Sequence, residues 1–402
     1  MLATRNFNVW LLSLAQGFHV AAAMTAVAVS SLVGAQIAPD ASMATLPNAM
    51  LTVGVALSTI PLSYFMKRFS RKAGFFLGAF FGLLSFTAGT VAIYAGWFWL
   101  LCAASLLQGV YQASVLYYRF AAAESVGEER QRGIAISLVQ AGSILAVIAA
   151  PAGVKAMNIA LLPTEYAGAY VFMFLVALLA FVPLAFLRLP PPIEEGIEGI
   201  ERPLVHILRQ PKTLTALTAN IAAWASMVLL MSATPLSMKH SGHGFDVSTG
   251  VIQLHVLGMY VPSLFSGFLI ARFGVMKILF AGMAFLGLTI WSASLGHGVH
   301  HYSAALLALG ISWNFLFIGG STLLTETYHD AERAKVQGIN EFTGFTVSAL
   351  AAGSAGVLLV TFGWQSLLLV NLAILALVFV ISLWYVVSER GRQKLSVMET
   401  ND

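Results

Sequence analysis

The stretches Ser63-Tyr-Phe-Met-Lys-Arg-Phe-Ser70 and Gly267-Phe-Leu-Ile-Ala-Arg-Phe-Gly274 stand 204 residues apart, and each ends an apolar run with Arg-Phe and a small residue. A second pair keeps nearly the same spacing. Glu124, Glu129-Arg130 and Gly133 correspond to Glu326, Glu332-Arg333 and Gly338, at offsets of 202 to 205. Two matches at one offset mark a chain that repeats itself in halves. Between the halves lies Arg188–Lys212, RLPPPIEEGIEGIERPLVHILRQPK, the longest break in hydrophobicity, with five prolines and four glutamates. The expected division is residues 1–187, a linker 188–212, and residues 213–402 ending in a short tail.

Each half is built for lipid. Of 402 residues 58% are apolar and only 9% charged, with a mean hydropathy of +0.83, whereas soluble domains carry about 25% charged residues. A hydrocarbon core about 30 Å thick needs about 20 apolar residues in a helix. Such runs fall at 7–36, 47–66, 73–94, 98–121, 133–156, 166–187, 213–236, 249–271, 275–295, 302–325, 340–361 and 365–386. The predicted fold is therefore all-α and integral to the membrane: twelve transmembrane helices in two six-helix, pseudo-symmetric bundles.

Charge sets the expected orientation. If the N-terminus is inside, all but two (Lys155 and Lys239) of the 21 Lys and Arg fall on the inner side. The outer turns hold those two lysines with Asp40, Glu165, Asp246, His297, His300 and His301. By the positive-inside rule both termini are cytoplasmic, and a bacterial cytoplasmic (inner) membrane is the expected location. The opening MLATRNFN resembles the start of a signal peptide, but no small-residue cleavage site follows, so the first run is expected to stay as a span. The single cysteine, Cys102, excludes an intramolecular disulfide and a thiolate metal site. The net charge of +4 comes from dispersed juxtamembrane residues, which suit anionic headgroups rather than nucleic acid. The outer histidines, without cysteine or an acid pattern beside them, do not make a metal site, and no cofactor is implied.

These residues resemble the major facilitator superfamily over essentially the whole chain. That family carries Gly-x-x-x-Asp-Arg-x-Gly-Arg-Arg between spans two and three; Ser63–Lys72 keeps Arg68, Arg71 and Lys72, while Ser63 and Ser70 replace glycines and Lys67 replaces the acid. The second copy keeps Gly267, Arg272 and Gly274, with Ala271 in place of the acid. The resemblance implies alternating access by rocking of one half against the other. It also implies a cytoplasmic gate held by charges, here Arg68, Arg71, Arg119, Glu124, Arg272, Glu326 and Glu341. Ser105 before Gln108-Gly109, and Ala150-Pro151-Ala152-Gly153, are partial versions of drug-exporter motifs. Other segments are similar to a proteobacterial branch that includes bacterial riboflavin transporters. They are Gly17-Phe-His19, Tyr118-Arg119-Phe-Ala-Ala-Ala-Glu124, Gln253-Leu-His255-Val-Leu-Gly258-Met, Trp313-Asn314-Phe-Leu-Phe-Ile-Gly319-Gly320 and Glu332-Arg333-Ala-Lys335-Val-Gln337-Gly338.

In that family spans one, four, seven and ten surround the cavity. There this sequence offers Gln16 and His19, then Gln108, Tyr111 and Gln112, then Asn220 and Trp224, then Trp313 and Asn314. The set is amide-rich, aromatic and uncharged, and so suits a flat polar solute; the same residues also serve as interhelical bridges. With no charged residue in the middle third of any span, a phosphorylated solute or a dication has no counter-charge there. If protons are the coupling ion of a symporter or antiporter, the titratable candidates are His19, His255, Glu326 and Glu341. A uniporter needs none. Arg119 lies roughly 13 Å from the middle of span four, placing it for a gate pair with Glu124, Glu326 or Glu341.

The expected function is transport of a small neutral or weakly charged, aromatic solute, riboflavin or a related heterocycle, by a monomer; a proton-coupled multidrug exporter is the alternative. Two other classes lack their signatures. A membrane-embedded enzyme needs paired acids or a nucleophile with its base, and no such set is found; a sensor normally appends a soluble domain, whereas the longest inner segment is Arg188–Lys212.

Overall fold

The computed structural model describes residues 2–40, 43–161, 164–189 and 202–399. Most of the Pro- and Glu-rich linker therefore lies outside the described residues. Twelve helices are long and apolar enough to cross a membrane, and no strand occurs among the described residues. The only backbone arrangement that satisfies its own polar groups without closing into a barrel is the helix, so an apolar chain in lipid adopts it throughout.

Span one is α1 (Leu2–Ile37), span two α2 (Leu46–Arg68) and span three α3 (Arg71–Ala95). Span four is broken into α4 (Phe98–Val115) and α5 (Tyr118–Ser125), and span five into α6 (Glu129–Ala141) and α7 (Ser143–Ala160). Span six is α8 (Ala167–Phe186), followed after the linker by the short α9 (Leu204–Leu208). Span seven is α10 (Pro211–His240); span eight is α11 (Phe245–Tyr260), a 3-10 turn (Val261–Leu264) and α12 (Ser266–Phe273). Then come α13 (Val275–Ser294), α14 (Val299–Leu324), α15 (Arg333–Phe362) and α16 (Trp364–Glu399). The sequence predicts spans four, five and eight as continuous. Their breaks arise at Leu116–Tyr117, at Gly142 and at Pro262, where apolar composition runs on while the hydrogen-bond ladder does not.

Two compact units form. The first comprises Met1–Gly199 with Asp330–Ala349, the second Ile200–His329 with Leu350–Asp402. Helix α15 thus gives its first part to one unit and its second part to the other.

The repeat read from sequence recurs in the packing. In the first unit Gly54 of α2 meets Gly109 of α4; in the second Gly258 of α11 meets Gly310 of α14. A methyl group on Gly109 would stand 2.5 Å from Val55 N, and one on Gly310 would stand 2.8 Å from Met259 N. Without hydrophobic drive between helices in lipid, such close approach supplies the packing attraction. A proline stands in each of the matching spans, Pro61 within α2 and Pro262 in the 3-10 turn beyond α11, and a side chain from a neighbouring span bonds to the backbone close to it. Tyr117 Oη donates to Thr59 O at 2.7 Å; Asn314 Nδ2 donates to Met259 O at 2.7 Å and Ser263 Oγ at 2.6 Å. His255, fully buried, adds a bond from Nδ1 to Leu306 O at 2.9 Å, tying span eight to span ten.

Two outcomes follow. Gly310→Ala should cost about 1–3 kcal/mol through overpacking, read as a lowered melting temperature in detergent; an unchanged melt would contradict the close-contact account. Asn314→Ala should cost about 1–2 kcal/mol, whereas Asn314→Gly in the same melt should cost more by adding helix flexibility; equal melts for all three proteins would remove the bridging role.

Candidate functional site

In the first unit α1 and α4 bring Gln16, His19, Gln108, Tyr111 and Gln112 to one neighbourhood. Residues three or four apart share a helix face, so Gln16 lies with His19, and Gln108 with Tyr111 and Gln112. His19 meets Tyr111 edge-on, with ring centroids 4.7 Å apart and planes at 87°. All but the half-buried Gln112 are buried. Yet His19 Nδ1, Gln108 Nε2, Tyr111 Oη and nearby Tyr118 Oη have no hydrogen-bond partner among the described residues. A buried polar atom left unpaired costs about 1–3 kcal/mol, and most native ones are paired. These four atoms are donors and acceptors that the described helices leave unused.

The second unit presents rings. Trp313 stacks on Phe317 with centroids 4.6 Å apart and planes at 13°. Trp224 meets Trp313 edge-on at 5.5 Å and Phe317 at 5.8 Å, and Tyr260 meets Trp313 at 6.1 Å. Trp313 is 2% exposed and its Nε1 has no partner among the described residues, while Trp224 and Tyr260 are half-buried. Trp313 is therefore the buried centre of the ring cluster, and Trp224 and Tyr260 are its half-buried members. Sequence reasoning missed Tyr260 and Phe317. Phe317 was detectable as the residue one helical turn past Trp313; Tyr260 sits on span eight, outside the spans searched.

The two clusters, one in each unit, are related by the repeat. His19 and Trp224 are 205 residues apart, Tyr111 and Trp313 are 202 apart, and both pairs make the same edge-on contact; Gln16 and Asn220 occupy corresponding places. Asn220 is buried and accepts a bond from Ser321 Oγ at 3.4 Å. Asn314 is fully buried and its amide nitrogen is committed to span eight, so it bridges helices rather than facing an opening.

Three sets of paired charges stand out among the described residues. In the first unit Arg71 donates to Glu124 at 2.6 Å and to Gln337 Oε1 at 2.6 Å, and Arg333 lies 3.2 Å from the other oxygen of Glu124. Ser63 Oγ donates to Ala334 O at 2.8 Å beside this cluster. Deeper in the same unit, Arg119 and Glu341 form a buried pair at 2.5 Å. In the second unit Glu326 pairs with Lys212 at 2.6 Å. Of the three acids within reach of the sequence reading, Glu341 is the partner of Arg119. Arg68 and Arg272 are exposed, and each lies over the ring that follows it, Phe69 at 5.7 Å and Phe273 at 5.4 Å, so the repeat extends to this contact. Among the described residues no group of three or more His, Cys, Asp or Glu is placed to hold a metal ion.

Comparison with known proteins agrees with this architecture. The Major Facilitator Superfamily model matches residues 9–311 and 251–400. A riboflavin transporter of Brucella anthropi, RfnT, is 35% identical over 376 residues, covering 93% of this chain and 94% of that protein. An uncharacterised transporter of Bacillus subtilis, YdeG, is 26% identical, covering 96% and 92%. Among solved structures, a bacterial homologue of the iron transporter ferroportin in the outward-facing state has a TM-score of 0.74 at 16% identity, covering 94% of this chain and 99% of that one. A variant of the Escherichia coli fucose:proton symporter FucP has a TM-score of 0.75 at 15% identity, covering 94% and 98%. With twelve membrane-crossing helices in a repeated arrangement and a relative of this identity along nearly its whole length, the chain belongs to the major facilitator superfamily of multi-pass membrane transporters.

Proposed function

We propose that this transporter moves riboflavin or a closely related flat heterocycle across a bacterial inner membrane by alternating access, with the basic end and both termini in the cytoplasm. The observation that carries the reading is that corresponding places in the two units hold different chemistry. The second unit offers half-buried aromatic rings, Trp224 and Tyr260, beside the stacked pair Trp313 and Phe317. The first unit offers buried hydrogen-bonding atoms without protein partners on His19, Gln108 and Tyr111. Stacking suits the faces of a tricyclic ring, and donors and acceptors suit the carbonyls and ring nitrogens on its edge. The 35% identity to the riboflavin transporter supports the same solute class. The positive-inside rule supports the orientation, since the basic residues cluster in the even-numbered turns. Arg71, Arg119, Glu124, Glu326 and Glu341 are proposed as gate residues, because their pairs cluster at the basic ends of the spans.

Riboflavin at 100 times its Kd should stabilise the detergent-purified protein by about 2.7 kcal/mol, read as a raised melting temperature. In Trp224→Ala the shift at the same concentration should fall by more than half. Stabilisation by lipophilic cations but not by riboflavin would overturn the solute class and leave the fold unaffected.

A further inference from the structure

The Arg119–Glu341 pair is buried more deeply than the Arg71–Glu124 and Lys212–Glu326 pairs. Its side chains are 3% and 1% exposed, against 9% and 19% for Arg71–Glu124 and 30% and 18% for Lys212–Glu326. Burying two charges is costly even when they are paired, and replacing such a pair with apolar groups is often neutral or stabilising. Stability alone therefore does not account for it. Ionisable groups inside a membrane are expensive and generally mark a pathway or a relay.

The surroundings assign the two members different freedom. Arg119 is held three ways: it donates to Glu341 at 2.5 Å and to Leu116 O at 2.8 Å, and its guanidinium lies 4.4 Å from the Phe120 ring centroid. Leu116 O belongs to the break in span four, so the arginine is anchored by backbone that the break sets free. Glu341 receives Arg119 and the Asn340 amide at 2.6 Å, both on the same oxygen, Oε1. It sits on α15, the helix shared by the two compact units, eight residues before the point where the units divide. The other charged and titratable groups near it are Tyr117, whose hydroxyl is engaged with Thr59 O, and Arg71, whose guanidinium lies 5.6 Å from the Tyr117 ring centroid and is occupied by Glu124. Arg333 is on the far side of Glu124. With the arginine fixed, the carboxylate is the movable partner. Once separated from Arg119 in an apolar setting, it must gain a proton or be left as an unpaired buried charge.

We propose that Glu341 is a proton-binding site of the transport cycle. When its bond to Arg119 opens, the carboxylate takes a proton from water at the membrane face; when the bond re-forms, the proton returns to water. Asn340 fits this use, because its amide can donate to the carboxylate and its carbonyl can accept from the carboxylic acid. The inference rests on the transporter assignment, and only one arm of its test rests on riboflavin as solute.

The first arm uses no solute. Backbone hydrogen exchange at residues 116–124 and 333–345, corrected for intrinsic rates, is measured on the detergent-solubilised protein from about pH 4 to about pH 9. The native protein should show a pH-dependent step in protection. Glu341→Gln should abolish the step, while His19→Gln and His255→Gln should retain it. No step in the native protein, or an unchanged step in Glu341→Gln, overturns the proposal. If the single variant fails to fold because Arg119 is left unpaired, Arg119→Gln with Glu341→Gln removes both charges and gives the same readings. The second arm measures riboflavin accumulation in proteoliposomes under an imposed pH gradient. One proton per neutral solute gives accumulation of about tenfold per pH unit, and any accumulation that remains in Glu341→Gln should not change with the imposed gradient. Gradient-driven accumulation retained in the variant overturns the proposal. Absence of any riboflavin flux in the native protein refutes riboflavin as solute, and the exchange-protection arm still decides the role of Glu341.

Discussion

Every backbone N–H and C=O in the hydrocarbon region has to be satisfied within the protein, and the architecture follows from that demand. It makes every span helical, and it makes each departure from a regular helix a place where a neighbour must intervene. Near Pro61 and Pro262 the intervening groups are Tyr117 and Asn314, and at the break in span four the free carbonyl of Leu116 receives Arg119. The glycine contacts of Gly54 with Gly109 and of Gly258 with Gly310 bring the same pairs of spans into close approach. Local backbone irregularity, close packing and the placement of polar groups are one problem, solved twice by a repeated sequence.

The repeat keeps geometry and changes chemistry. The edge-on ring contact occupies the same place in both units, as His19 on Tyr111 and as Trp224 on Trp313. One unit uses the position for hydrogen-bonding atoms and the other for large apolar rings. Divergence of this kind gives each unit its own chemistry on a shared helical frame. Charge diverges too: the first unit carries the Arg71–Glu124–Arg333 cluster and the buried Arg119–Glu341 pair, and the second carries a half-exposed Lys212–Glu326 pair.

The twelve spans and their repetition were legible because hydropathy and spacing are one-dimensional signals, and helices in lipid translate them directly. Position along a span is read the same way, which is why Trp224, Trp313 and His19 stood out. Direction around a helix axis was not. Asn314 and Trp313 are sequence neighbours at one depth, yet one bridges to span eight and the other stacks in a ring cluster, and only the neighbouring helices decide which. Arg119 had three acids at comparable depth, and no one-dimensional signal distinguishes Glu341 from Glu124 and Glu326. The breaks at Leu116–Tyr117 and Gly142 left no trace in an apolar run, whereas Pro262 announced itself but did not reveal which side chain would bond beside it.

The most direct test of the central claim, that aromatic rings of the second unit read a flat heterocycle, is an experimental structure of the protein with riboflavin bound. The account predicts the isoalloxazine ring against Trp224 and Tyr260, with the Trp313–Phe317 stack unbroken beside them. Ring density away from these side chains, or none at saturating riboflavin, would contradict it.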